Sequence, residues 1–407
     1  MTAEAAVSSP LLGREYLADP DSVIARLREE DPVHFIPGAG CWLVTRHEDV
    51  RRLFTDPNVT VDPRAWERYE PAPAGSFRRW ADEEGFFAAP PEAHARLRRL
   101  VSAALTRGAV ARMEDQIRQV VDQFAAPLRG RSGVVDLAAE YTDPIPNVVI
   151  SRITGIPAKG DDEARFRELA QDVIRGFLTF ATEDQKQRAD EAAREISDWV
   201  RSMAEEGRRN PCEDLVSDLV RVNDMDDRMT NDEVVSVIVI LITAGSETTA
   251  LGGAAALRAL LHHPAQLEKL RRHRALLPNA VNEVLRFDFG LGPGPSRYAL
   301  RDFELRGKRI RKGQQILLSF SGAHRDPSVF PDPDHLDLER DTKALTIFGH
   351  GPHFCLGANL ARQELRCMID AALDFLPPGA KLREDLIEWR AIEFFRRMET
   401  LPVDFSG

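Results

Sequence analysis

A lone cysteine in a glycine-rich run is the clearest candidate for chemistry in this sequence. Cys355 ends the run FGHGPHFC (residues 348–355), and a helical pattern begins shortly afterwards at Ala358. Glycine and proline are costly in regular secondary structure, so the run should follow a tight, irregular path that exposes its amide groups. Near the start of a helix, unpaired N–H groups and the helix dipole favour a thiolate over a thiol. Cys355 is therefore a candidate anionic ligand.

The sequence around Cys355 narrows the kind of metal site. Cys41, Cys212 and Cys367 are scattered, without the paired spacing of a disulfide framework, a zinc site or an iron–sulfur cluster. A lone thiolate in a glycine-lined loop, with Gly357 leaving room for a flat group beside the sulfur, suits axial ligation of a haem iron. The alternative is a buried structural cysteine, which is what a lone cysteine commonly is. The loop favours the haem.

A long apolar helix should carry the second candidate group. Thr230 and Glu233 form a capping-box pattern, and the helical periodicity continues to about His262, after which Pro264 ends it. At 1.5 Å per residue, about 30 residues span some 45 Å, enough to cross the molecule. The first half is apolar on all sides and should therefore be buried.

Within that helix the run AGSETT (residues 244–249) places a glycine and an acid where each is unfavourable. Cleavage of O₂ is a chemistry that needs this, because protons must reach a site that otherwise excludes water. Thr248 could hold bound oxygen and a water, while Glu247 relays protons from solvent. Gly245 would leave space for the dioxygen. The alternative is a helix kink with threonine hydroxyls bonded back to the helix.

These motifs resemble those of the cytochrome P-450 superfamily, in its soluble, bacterial-type haem-thiolate monooxygenases. The loop matches F-G-x-G-x-x-x-C-x-G, residues 244–249 match A-G-x-[DE]-T-T, and Glu283 and Arg286 match E-x-x-R. The likeness spans roughly Leu17 to Phe405. It implies a mainly α (α+β) fold in a single domain, residues 1–407, with a small β-rich part near 31–46 and 296–320 and a helical haem-binding part elsewhere.

The resemblance implies a set of site residues around heme b, the iron protoporphyrin IX, with Cys355 as the metal ligand. Its buried propionates need cationic partners, and the matching positions are His94, Arg98, Arg297 and His353. Phe348 is expected to shield the sulfur. The substrate pocket should be lined by Phe86, Phe87, Ile240, Leu241, Ala244, Gly290, Leu291, Phe394 and Phe395, although the aromatic residues of the loop before residue 91 could equally anchor it to the core. Glu283, Arg286 and Arg340 should form a structural network that braces the haem loop.

Composition limits the other possibilities. The 407 residues carry a net charge of −11, which argues against general nucleic-acid binding. No linker or internal repeat divides the chain. The longest apolar run, residues 234–244, is shorter than the ~20 residues of a membrane span, and residues 1–20 lack a signal-type apolar core. We therefore expect a cytoplasmic protein without a membrane anchor, and a monomer.

The resemblance implies a monooxygenase that takes O₂ as co-substrate and inserts one oxygen atom into a hydrophobic organic molecule. No dinucleotide fingerprint or iron–sulfur cysteines are present, so electrons should come from NAD(P)H through a separate ferredoxin and ferredoxin reductase. A basic patch could dock the ferredoxin; its members would be Arg96, Arg99, Arg107, Arg362 and Arg366. The alternatives are a peroxide-driven peroxygenase and a non-enzymatic haem sensor or electron carrier.

Overall fold

The computed structural model describes residues 16, 19–86, 88–155, 161–177, 181–210, 214–224, 227–288, 294–392 and 395–406. The chain divides into two compact units. Unit 1 contains Met1–Glu70, Ala255–Cys355 and Ile387–Glu399, and unit 2 contains Pro71–Ala254, Leu356–Leu386 and Thr400–Gly407.

Helices dominate the described residues and strands are short, which confirms the predicted mainly α fold with a minor β region. The α-helices are α1 (Pro20–Glu30), α2 (His47–Leu53), α3 (Phe77–Glu83), α4 (Pro91–Ala104), α5 (Arg107–Arg112), α6 (Glu114–Ala125), α7 (Pro144–Thr154), α8 (Asp161–Phe177), α9 (Glu183–Arg209), α10 (Leu215–Arg221), α11 (Asn231–His262), α12 (Pro264–Arg272), α13 (Leu277–Asp288), α14 (Phe320–His324) and α15 (Ala358–Phe375). The strands are β1 (Val33–Ile36), β2 (Cys41–Val44), β3 (Val59–Thr60), β4 (Val134–Asp136), β5 (Asn223–Asp224), β6 (Asp227–Arg228), β7 (Ser296–Ala299), β8 (Phe303–Leu305), β9 (Lys308–Ile310), β10 (Gln315–Leu318), β11 (Lys381–Leu382), β12 (Trp389–Ile392), β13 (Phe395–Met398) and β14 (Pro402–Asp404).

The main sheet belongs to unit 1. Its five strands lie in the order β1-β2-β10-β7-β3. Strands β1 and β2 form a hairpin within the β-rich part expected near residues 31–46, and Gly40 supplies the left-handed residue of its turn at φ +67. Strand β10 runs parallel to β2 and antiparallel to β7. Helix α1 covers this sheet through Val23, Ile24 and Leu27, which are buried in one cluster with the sheet residue Leu43.

Unit 1 also contains the segment that leads to the cysteine loop. Helices α13 and α14 come before it, and the chain between Phe330 and Arg340 winds against them through hydrogen bonds described below. Strands β12 and β13 form an antiparallel hairpin, with Trp389 paired to Met398.

Unit 2 is built on helices. The phenol of Tyr141, from a π-helical turn at Ala138–Thr142, donates a 2.7 Å hydrogen bond to the carbonyl of Met368 in α15. An added Cβ at Gly253 of α11 would lie 2.6 Å from the methyl group of Met368 in α15. The end of the Met368 side chain therefore lies directly against this glycine.

Helix α11 is the one helix of the described residues that is long and apolar enough to span a membrane. Its most apolar window is 61% buried inside the protein, which is typical of a core helix. The predicted capping box is confirmed: the Glu233 amide donates to the Thr230 hydroxyl at 3.2 Å, and the Thr230 amide donates to the Glu233 carboxylate at 2.8 Å.

The chain between Thr60 and Pro91 contains α3, whose first turn is capped by Ser76. Residues 137–154 contain a π-helical turn followed by α7, and Pro144, which lacks an amide proton, is the first residue of α7.

Candidate functional site

The cysteine loop of unit 1 is held by its own backbone. Gly349 and Gly351 both adopt a left-handed conformation at φ +74, and a side chain at Gly351 would collide with Thr55. The amide of Cys355 donates a 2.7 Å hydrogen bond to the carbonyl of Phe348, closing the loop on itself. Cys355 is exposed. The two glycines are therefore required by the geometry of a loop in which Cys355 is exposed.

The other described cysteines have the opposite character. Cys41 and Cys367 are both buried. Burial raises the pKa of the Cys41 thiol to about 12 and that of the Cys367 thiol to about 11. Both therefore remain protonated at neutral pH, whereas a metal ligand must be a thiolate.

Arg297 is the clearest candidate partner for an anionic group. It lies on β7 and is 4% exposed, and its guanidinium sits over the Phe54 ring at 5.0 Å. Its one side-chain hydrogen bond among the described residues goes to the Ser296 carbonyl, and no described carboxylate pairs with it. Burial lowers the pKa of Arg297 to about 10. A buried cation without a carboxylate is costly, so the residue fits a haem propionate.

Two further predicted cofactor residues lie in the loop of unit 1 itself. His353 is half-buried within a short 3₁₀ turn, Gly351–His353. Phe348 is also half-buried, and its ring centroid lies 6.5 Å from that of Phe354.

The remaining predicted propionate ligands belong to unit 2. His94 and Arg98 lie one turn apart on α4; the first is buried and the second half-buried. Burial, and to a smaller extent the Arg98 charge, lower the pKa of His94, so its ring is neutral at pH 7. Phe86, predicted to line the pocket, is buried with its ring centroid 4.9 Å from the imidazole of His94. This contact is consistent with the anchoring alternative that the sequence left open, and the pocket role of Phe86 stays a prediction.

Helix α11 presents one face to solvent within unit 2. Ala244 and Thr248 are exposed and Ile240 is half-buried, so these residues spaced by four share a face, while Leu241 is buried. A Cβ added at Gly245 would meet nothing within 4 Å, which leaves open space beside the helix.

The acid–alcohol pair of α11 has a defined geometry on the threonine side. The Thr248 hydroxyl donates a 2.6 Å hydrogen bond to the Ala244 carbonyl, and the helix continues without a break. Back-bonding and an exposed hydroxyl therefore coexist. Because its proton is committed to the backbone, the oxygen of Thr248 offers lone pairs to its surroundings. Glu247 is half-buried.

Glu283, Arg286 and Arg340 come together in unit 1. The side chains of Glu283 and Arg286 are both 0% exposed, with their closest nitrogen and oxygen 2.7 Å apart. Arg340 adds a second contact to Glu283 at 3.1 Å.

The structure revises the proposed basic patch. Arg96 is paired with Asp227 at 2.9 Å and with Glu233 at 2.6 Å, so its charge is neutralised. Asp227 also lies 3.5 Å from Arg99, and Arg366 is paired with Glu114 at 2.7 Å.

Several predicted residues lie outside the part of the chain that the structure describes. These are Phe87, Cys212, Gly290, Leu291 and Phe394, and for Phe395 the side chain is likewise outside it.

Sequence reasoning missed two buried groups. His324 is 1% exposed and contacts the segment before the cysteine loop. Glu364, in α15, is 5% exposed, and burial raises the pKa of its carboxyl well above the ordinary value. Neither is marked by a local pattern, since only burial distinguishes them from surface residues.

Comparison with known proteins agrees with this fold. The family model described as Cytochrome P450 matches residues 43–374. The cytochrome P450 monooxygenase PikC of Streptomyces venezuelae is 34% identical over 398 residues, covering 96% of this chain and 92% of that protein. The solved structure of the Bacillus subtilis 168 bacillaene polyketide synthase cytochrome P450 PksS is 30% identical and has a TM-score of 0.86, covering 98% of this chain and 100% of that one. The epothilone D-bound cytochrome P450epoK is 31% identical with a TM-score of 0.88, covering 99% of this chain and 100% of that one.

The mainly helical fold and the family match define the class of protein. The chain belongs to the cytochrome P450 family. It is accordingly a monooxygenase-type enzyme that uses haem and O₂.

Proposed function

We propose that this protein is a cytoplasmic heme b monooxygenase that inserts one oxygen atom of O₂ into a hydrophobic organic substrate. Cys355 is its iron ligand. The observation that carries the proposal is the cysteine loop, in which two left-handed glycines and the 2.7 Å bond from the Cys355 amide to the Phe348 carbonyl leave the sulfur exposed. Heme b, when bound, supplies the activation of O₂ and its transfer to carbon.

The residues proposed to hold the propionates are Arg297, His353, His94 and Arg98. Arg297 has the strongest support, since its buried guanidinium has no described carboxylate. Neutral His94 would act as a hydrogen-bond donor and Arg98 as the charge. Gly357 has room beside it, because an added Cβ would meet nothing within 4 Å.

Thr248 and Glu247 are proposed to manage protons during O₂ cleavage. With its own proton donated to the Ala244 carbonyl, the Thr248 oxygen can accept a hydrogen bond from a water and hold it in place. Half-buried Glu247, on the preceding residue, would exchange protons with solvent. An enzyme driven by peroxide would not need this pair.

Electrons are proposed to come from a separate ferredoxin and its reductase. Since Arg96 and Arg366 are neutralised by carboxylates, we assign the docking charge to exposed Arg107. Arg362, another member of the predicted patch, is the second position of the test. Helices α5 and α15, which carry them, pack together in unit 2. Charge reversal at both positions should slow reduction by ferredoxin, while reversal at Arg165, on α8, should not. Equal rates in all three proteins would exclude this surface.

The substrate is proposed to be a polyketide-type macrolactone. Relatives similar to this chain are named as a polyketide biosynthesis cytochrome P450, an epothilone C/D epoxidase and a 6-deoxyerythronolide B hydroxylase. Another is named as a vitamin D(3) 25-hydroxylase, which makes secosteroids the class to compare. Titration with macrolactones and secosteroids, followed by the shift of the haem absorption band, would separate the two classes.

The decisive experiment concerns Cys355. The reduced protein exposed to carbon monoxide should show the absorption band of a thiolate-bound haem. Cys355→Ala should lose that band, while Cys367→Ala, which changes a buried cysteine, should keep it. A protein that binds no haem, or a Cys355→Ala variant with the parent spectrum, would refute the proposal.

A further inference from the structure

His324 ends α14 and is enclosed by aromatic rings in unit 1. It is 1% exposed, stacked on Phe320 at 5.8 Å between ring centroids, and it meets the edge of Phe330 at 6.3 Å. A buried imidazole is costly unless its nitrogens have partners. The partner of Nε2 shows what the residue does.

The Nε2 atom of His324 must be an acceptor. The backbone amide of Thr346 lies 3.1 Å from it, and an amide can only donate. The Thr346 hydroxyl lies at the same distance from the same nitrogen. The ring proton is therefore on Nδ1 and the imidazole is neutral. The electrostatic environment also favours the neutral imidazole. Burial lowers the pKa of His324 to about 3, with smaller contributions from the charges of Arg286, His47 and Arg325.

Thr346 is also hydrogen-bonded to the cysteine loop. Its carbonyl accepts a 2.7 Å hydrogen bond from the amide of Gly349, which closes the turn that begins the loop. Within that turn, the Phe348 carbonyl accepts the amide of Cys355, also at 2.7 Å. A continuous series of short hydrogen bonds thus joins the imidazole of His324 to the backbone of Cys355.

The other end of the series is rigid. The Arg286 guanidinium donates to the His324 carbonyl at 3.0 Å, and it is itself held by Glu283 at 2.7 Å with both side chains fully buried. His324 is therefore fixed through its backbone by the buried ion pair, and through its ring it holds Thr346.

We propose that His324 is a positioning residue for Cys355, acting as the hydrogen-bond acceptor that connects the Glu283–Arg286 pair to the turn before the thiolate ligand. The role of Cys355 as ligand rests on the proposed function. The connection through Thr346 involves only residues of the protein, so it can be measured whether or not Cys355 binds a haem.

The test compares His324→Gln, whose Oε1 can reach the place of Nε2, with His324→Leu, which has similar volume and no acceptor. Thr154→Val, which removes a buried 2.6 Å hydrogen bond to the Ile150 carbonyl in unit 2, is the control for a general loss of stability. Amide hydrogen exchange is followed at Thr346 and Cys355 in the full-length protein, and the carbon monoxide spectrum reports thiolate ligation.

We expect exchange at both amides to rise by about tenfold or more in His324→Leu, as the loss of one buried hydrogen bond predicts. The thiolate band of this variant should decline at temperatures at which the control retains it. His324→Gln should restore both properties. Parent-like protection of both amides in His324→Leu, or a His324→Gln variant as impaired as His324→Leu, would overturn the proposal.

Two outcomes are kept separate by this design. If His324→Leu does not fold, His324→Asn replaces it, because its shorter amide cannot reach Thr346; equal exchange in the Gln and Asn variants would overturn the connection. If the parent protein shows no thiolate band, the proposed function fails, while the exchange measurement still decides whether His324 orders residues 346–355.

Discussion

Replacement of Arg286 by methionine should be among the most damaging single changes in unit 1. The guanidinium makes two hydrogen bonds to Glu283, at 2.7 and 2.9 Å, and further bonds to the carbonyls of His324 and Pro333 at 3.0 and 2.8 Å. Both charged side chains are 0% exposed. Arg286→Met therefore removes a hydrogen-bond donor from a buried carboxylate and from buried backbone carbonyls at the same time.

The magnitude follows from what remains after the change. Removing one partner of a buried ion pair costs about 3–5 kcal/mol. Glu283 would keep Arg340 at 3.1 Å and the amide of Asp337 at 3.0 Å, which limits the loss. The buried carbonyl acceptors that lose their donor add about 1 kcal/mol or more. We therefore expect the free energy of unfolding to fall by about 4 kcal/mol, a large share of the ~5–15 kcal/mol of a typical domain.

The assay is urea unfolding of the parent and variant without haem. Lys343→Met is the matched control, because Lys343 pairs with Asp341 at 3.3 Å with side chains 92% and 67% exposed. An exposed pair of this kind should contribute less than about 1 kcal/mol. If Arg286→Met loses no more stability than Lys343→Met, the reasoning from burial is wrong.

Three further predictions concern single side chains. Burial raises the pKa of the Glu364 carboxyl, so the folded state binds this proton more tightly than the unfolded state and the stability of the parent falls as pH rises above 4.5. Glu364→Gln should therefore become more stable relative to the parent in urea unfolding as pH increases from 5 to 8, by about 1.4 kcal/mol for each pH unit until the raised pKa is reached. A difference in stability that does not change with pH would contradict this. Thr248→Ala should uncouple NAD(P)H consumption from product formation, whereas Thr243→Ala, which removes a similar back-bonded hydroxyl on α11, should leave them coupled; equal coupling in both would count against the proton role. Arg297→Leu should weaken haem retention by about tenfold or more while leaving the haem-free protein at least as stable, because an unpaired buried cation is removed; a parent-like rate of haem transfer to an acceptor protein would exclude Arg297 as a propionate ligand.

Local chemistry explains why much of the fold could be predicted from the sequence. The β-rich part predicted near residues 31–46 contains the β1–β2 hairpin, whose two apolar runs are separated by a Pro-Gly turn. Helix α11 has the predicted capping box and ends at His262, as expected. Gly349 and Gly351 likewise predicted a tight, irregular path, and both adopt a left-handed conformation that other residues avoid. These features depend on residues within a few positions of one another, so they can be predicted from the local sequence.

Partner choice across the chain could not be predicted. Arg96 was expected to be a free surface charge, but it pairs with Asp227 and Glu233, which lie more than a hundred residues later. Phe86 packs against His94, as only the folded chain could show. For Thr248 of the AGSETT run, both the functional interpretation and the back-bonded alternative remain compatible with the structure, since its hydroxyl is bonded back to the helix and the residue is exposed.

The sequence by itself determined which residues are candidates for the site: the cysteine, the acid–alcohol pair and the basic residues suited to an anionic group. The tertiary structure decided which of them are buried, which charges are neutralised, and how the cysteine loop is held. His324 illustrates the difference, because it contacts Thr346 across 22 positions of sequence and has no local pattern. Burial and hydrogen bonding between distant segments arise only when the chain has folded, and they alone gave this histidine its place in the site.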